Sequence, residues 1–118
     1  MGSELLTVEV AEQAGVVLAR VRGEVDMGTA PALRRGLDEA AEQRTGEQPV
    51  VLDLSSVGFL ASAGLALLVE FHRRLTGEGG ALRVVTQGGP VLRAIQVSSL
   101  DKVLTVYPSA DAALAAHG

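Results

Sequence analysis

Apolar residues come along this chain in short runs, divided by polar or glycine-rich breaks. "LLTVEV" (5–10) and "GVVLARVRG" (15–23) are separated only by the polar "AEQA", with Gly15 after it. Two strand-like runs with so short a break read as a hairpin. The period then changes. In "EVDMGTAPALRRGLDEAAEQRTG", Leu33, Leu37, Ala40 and Ala41 recur at helical spacing, Thr29 is a candidate N-cap, Pro31 suits the first turn and Gly46 is a stop signal.

"PVVLDL" (49–54) has the continuous apolar character of a buried strand, and "SSVGFLA" leads from it into a helix predicted over about Ser62–Thr76. Leu65, Leu68, Phe71, His72 and Leu75 would form its inward stripe, with Glu70, Arg73 and Arg74 facing water and "GEGG" (77–80) ending it. "ALRVVTQ" (81–87) is the next strand, a short helix follows near 90–97, and "KVLTVY" (102–107) is the last strand. "PSADAALAA" is a final helix beginning at Pro108 and Ser109. The order ββαβαβαβα predicts an α/β fold, with a mostly parallel sheet made mixed by the first hairpin and about four helices joined by right-handed crossovers. No repeat or linker divides it, so a single domain is expected over residues 4–117.

Composition narrows the chemistry. The chain has 118 residues, 47% apolar and 20% charged, an ordinary globular balance at a length that buries a sizeable core. It has no cysteine, which excludes disulfides, thiolate catalysis and cysteine-ligated metals. His72 and His117 lie far apart and have no ligand company, so no metal and no cofactor is expected. A net charge of −4 and 3% aromatic residues argue against direct nucleic-acid binding. "GFLASAGLALLV" is too short for the ~20 residues that span a bilayer, and "MGSE" lacks an export pattern, so a cytoplasmic protein is expected.

The "FLASAGL" stretch (59–65) sets one hydroxyl, Ser62, where a strand hands over to a helix. As an N-cap, its oxygen would accept from the N–H of Leu65, which is typically worth ~1 kcal/mol. As a phosphate acceptor it would sit where free N–H groups and positive partial charge tolerate an added anion. Spacing alone favours the cap. Asp26, in "GEVD", has the same double reading: a turn residue bonding nearby N–H groups, or an acidic contact beside Glu24 for a basic partner. Parallel strands would bring it to the same sheet edge as Ser62.

Enzyme readings fare poorly. Asp53 in "VVLDL" raises aspartyl phosphorylation of the receiver type, but "VEVAE" (8–12) supplies no acidic pair for magnesium and Lys102 begins the last predicted strand instead of following it. "ASAGL" is not G-x-S-x-G, and no Gly-Lys-Ser/Thr follows "GEGG" or "QGGP". No enzyme activity is expected.

"GEVDMGTAPAL" (23–33), "VVLDLSSVGFLASAGLALL" (50–68) and the closing "LRVV" followed by "GGPVLRAIQVSSLDKVLTVYPSADAAL" resemble the STAS family, specifically its stand-alone anti-sigma-factor antagonists, over essentially the whole chain. The resemblance implies a partner switch. The unphosphorylated antagonist binds an anti-sigma factor that is also a serine kinase and so frees a sigma factor; phosphorylation breaks that complex and a serine phosphatase restores it. On that resemblance Ser62 is the acceptor, which reverses the order set by spacing. The docking face then comprises Asp26 and the loop 57–61, with Glu24, Thr29, Val57, Gly58, Leu60, Ala61, Ala63, Gly64 and Leu65 as its contact residues.

Ala61 stands where many family members carry an acidic residue, and Ala63 where many carry a second hydroxyl. Two rivals predict other behaviour. A STAS adaptor of another assembly, such as a transporter complex or a stress-signalling scaffold, would bind without kinase dependence. A small-ligand or nucleotide sensor would hold an anion at the helix start and give a saturable thermal shift.

Overall fold

The computed structural model describes residues 5–116; His117 and both ends of the expected 4–117 domain lie outside the described residues. β1 (Leu6–Gln13) and β2 (Val16–Val25) pair antiparallel from Leu6↔Gly23 to Gln13↔Val16. Ala11, Glu12 and Gln13, expected in the connection, belong to the strand. The turn itself is only Ala14 and Gly15, both at positive φ (55° and 80°). That geometry matches the twist of a two-residue hairpin better than a longer loop would.

α1 (Ala30–Gln43) buries Leu33, Leu37, Ala40 and Ala41 as predicted, and Gly36 with them. A Cβ at Gly36 would lie 2.6 Å from the Val8 side chain, so its absence lets α1 sit down on β1. The helix ends at Gln43, before the glycine read as its stop.

β3 (Val50–Leu60) is longer than its apolar core implies. "SSVGFL" has a loop's composition, yet β2 extends alongside and pairs Arg22↔Ser56, Gly23↔Val57, Glu24↔Phe59 and Val25↔Leu60, with two register shifts. Partner length, not side-chain propensity, sets where this strand stops.

α2 (Ser62–Gly77) turns its stripe from the predicted one. Gly64, Leu67, Leu68, Phe71 and Leu75 are buried, whereas Leu65 and His72 are only half-buried at the boundary. β4 (Leu82–Val85), α3 (Gly89–Val97), β5 (Thr105–Tyr107) and α4 (Ala110–Ala115) complete the chain. Lys102 closes a 3-10 turn, Leu100–Lys102, and does not begin β5 as predicted. Ser109 does cap α4, its hydroxyl accepting from Ala112 N–H at 3.1 Å.

The five strands lie in the order β1-β2-β3-β4-β5, and every pair after the first is parallel. Alternation splits the strands between two faces. Val17, Ala19, Leu52 and Leu54 join a core with residues of α1, α2 and α3, whereas Leu18, Val51 and Val85 pack with Ala113 of α4. Buried Arg83, in the predicted strand but not foreseen as a tie, donates from Nη1 to Ala113 O at 2.9 Å and holds α4 against that second face.

Among the described residues, no helix is long and apolar enough to cross a membrane. No group of three or more His, Cys, Asp and Glu among them is placed to hold a metal ion.

Candidate functional site

β2 and β3 run the same way and end side by side, so the segments that follow them share one sheet edge. The Ala61 N–H donates to Val25 O at 2.8 Å, which joins the start of α2 to the end of β2. The Asp26 turn and Ser62 therefore emerge next to each other. Sequence reasoning required only that the two strands be parallel, and they are.

The Asp26 turn is closed from both sides. Asp26 Oδ1 accepts from Thr29 N–H at 3.0 Å, and Thr29 Oγ1 accepts from Asp26 N–H at 2.9 Å. The Thr29 hydroxyl donates to Glu24 O at 2.7 Å. Thr29 occupies the predicted N-cap position of α1, but its side chain makes no cap bond; it is spent on stitching the turn. With 7% exposure it is a buried rivet. Asp26 itself is exposed.

Ser62 is not the N-cap. That position belongs to Ala61, whose carbonyl accepts from Gly64 N–H at 2.9 Å and Leu65 N–H at 3.1 Å. The bond expected from Leu65 to the serine hydroxyl is therefore made to backbone instead. No side chain caps α2, and Ser62 is its first residue, exposed. A Cβ at Gly64 would lie 2.5 Å from both Val25 Cγ1 and Leu60 Cδ1, so glycine is what allows the helix start to press against the two strand ends.

The remaining predicted contact residues divide by burial. Thr29, Val57, Leu60 and Gly64 are buried and shape the edge from beneath. Glu24, Asp26 and Gly58 are exposed, and Ala61, Ala63 and Leu65 are half-buried around Ser62. Phe59, inside the 57–61 loop expected on the docking face, is 48% exposed, and Met27, which was missed, is 83% exposed. Phe59 is one of three aromatic residues in the chain.

Asp53 stands elsewhere. It lies in mid-strand, in register with Arg20 and Val85, and its Oδ1 accepts from Ser55 N–H at 2.9 Å.

Arg34 of α1 and Glu70 of α2 form a forked ion pair at 2.6 and 2.9 Å on the outer surface of the helix pair. The hydrogen bond from Arg34 holds the Glu70 carboxyl below the usual carboxylate range and raises the guanidinium in turn.

Comparison with known proteins agrees with this architecture. The family model described as STAS domain matches residues 7–113. The anti-sigma-F factor antagonist RsfB of Mycobacterium tuberculosis is 34% identical over 110 residues, covering 92% of this chain and 87% of that protein. An anti-sigma F factor antagonist of Paenibacillus polymyxa is 31% identical over 102 residues, 86% of each chain. The crystal structure of an anti-sigma factor antagonist from Mycobacterium paratuberculosis superposes with a TM-score of 0.83 at 38% identity, covering 92% of this chain and 91% of that one. The mixed sheet, the four helices and the residues matched agree: the chain belongs to the STAS domain family.

Proposed function

We propose that this protein is an anti-sigma factor antagonist: it binds an anti-sigma factor through the edge formed by the Asp26 turn, Phe59 and the start of α2, and phosphorylation of Ser62 switches that binding off. The carrying observation is the exposed Ser62 at the first position of a helix capped by alanine. The antagonist names of its relatives support the same class of partner.

In this reading the protein is a substrate and a binder, not a catalyst. Its partners are an anti-sigma factor with serine kinase activity and a serine phosphatase that reverses the modification, and all act in the cytoplasm. The physical logic is local. A phosphate carries about −1.5 to −2 charge near neutrality and would meet the free N–H groups of the first turn of α2, so the fold tolerates it. At a docked interface the same charge must be desolvated or paired. A cost of only ~1.4 kcal/mol already weakens the complex tenfold. No long-range rearrangement is required.

Ala63 leaves no hydroxyl next to Ser62 to accept a phosphate in its place. The test is intact-mass analysis after incubation with ATP and candidate anti-sigma kinases of the same genome, on wild type and Ser62→Ala. One phosphate on wild type and none on the variant is expected. Phosphate retained by Ser62→Ala would move the acceptor elsewhere. Tight binding to a candidate with no phosphate would make the protein an unswitched antagonist, and neither phosphate nor binding would point to the adaptor reading.

A further inference from the structure

Between the outer faces of α1 and α2 runs an open trough of about 460 Å³ that begins beside Ser62, since Ala63 forms part of its wall. Its sides carry small residues, Ala30, Ala63 and Ala66, and Leu67 is its buried floor. Met27 stands at the mouth, more exposed than any other large apolar side chain among the described residues. Small walls admit a close approach, and a flexible thioether adapts to what arrives.

Charge along the trough is uneven. Arg34 is already engaged by Glu70 in the forked pair. Arg35, exposed and also on the trough, forms no ion pair with any described residue. On a chain with net charge −4, this is one local positive point that an acidic group can find without displacing an internal partner.

We propose that the trough seats a helix of the anti-sigma factor partner, one that lays an apolar stripe on Met27 and Ala66 and sets an acidic side chain against Arg35. The proposal rests on the functional reading above and names where and by what chemistry the partner is gripped. Two helical walls accept a third helix in the groove between them, the apolar face inward and the charge at the rim. It also gives Ser62 a second lever. A phosphate one residue from Ala63 places negative charge at the entrance to the trough, where it repels the acid that Arg35 attracts.

The test measures affinity, by titration calorimetry, for the anti-sigma factor that wild type binds. Arg35→Glu reverses the rim charge, Ala66→Trp fills the trough from an exposed helix position, and Lys102→Glu makes the same charge change at the opposite end of the sheet. Thermal melts check that each variant is folded. Arg35→Glu and Ala66→Trp are each expected to weaken binding by about tenfold or more, with Lys102→Glu unchanged. Wild-type affinity in either Arg35→Glu or Ala66→Trp, or equal loss in Lys102→Glu, overturns the proposal. If wild type binds no anti-sigma factor at all, the functional reading itself fails and this inference falls with it.

Discussion

The backbone N–H of Ala61 donates to the Val25 carbonyl at 2.8 Å, and through that bond the helix carrying Ser62 is anchored to the strand that ends in the Asp26 turn. Each half of the edge has its own support. The Asp26 turn is riveted by Thr29, and the helix start is seated by Gly64. Stability and binding at this edge can therefore be separated by substitution.

Asp26 has two duties that different variants should part. Asp26→Ala removes the acceptor for the part-buried Thr29 N–H and should cost about 1 kcal/mol. Asp26→Asn keeps an oxygen in place and should melt close to wild type while losing the charge a basic partner would read. Denaturant titration alongside partner affinity checks both. Equal affinity for wild type and Asp26→Asn would remove the carboxylate charge from the docking face.

Gly64 tests the seating of α2. Its missing Cβ makes room for Val25, a stiff β-branched side chain, and for Leu60. Gly64→Ala should overpack this junction and destabilise the protein by about 1–3 kcal/mol, despite the gain in helix propensity. Chemical denaturation reads the difference. A stabilised variant would mean that the junction relaxes freely.

The Arg34–Glu70 pair makes a pH prediction. Because Arg34 lowers the Glu70 pKa in the folded state, the pair contributes above the ordinary carboxylate range, and that contribution fades as pH falls through the depressed value. Both side chains are about half exposed, so the effect on stability is small. Carboxyl-carbon NMR titration should show Glu70 titrating below the ordinary glutamate value, and Arg34→Ala should move it back up.

Much of the fold was legible because apolar runs report burial. Leu33, Leu37, Ala40 and Ala41 faced the core as their spacing required, and the parallel pairing after the first hairpin followed from alternation. What escaped depended on neighbours in space. Nothing in "SSVGFL" says that β2 is long enough to hold it as a strand. Leu67 displaced Leu65 from the stripe because Gly64 sets how α2 rests on Val25 and Leu60, a contact between residues distant in sequence.

The site was legible in part for the same reason. A serine at a strand-to-helix junction and an aspartate after a strand are local signals, and parallel pairing brought both to one edge. That Ala61, and not Ser62, would cap α2 turned on a single residue of helix phase. Met27, exposed in the turn before α1, and the trough between α1 and α2 exist only once the two helices are packed.

The most direct test of the switch is to compare two forms of the same protein, unmodified and carrying phosphoserine installed at position 62 during synthesis, for affinity toward the anti-sigma factor identified by capture. Circular dichroism of the two should coincide, because the phosphate sits at an accommodating helix start. The account predicts binding weakened by about tenfold or more in the phosphorylated form. Equal affinity of the two forms would contradict it.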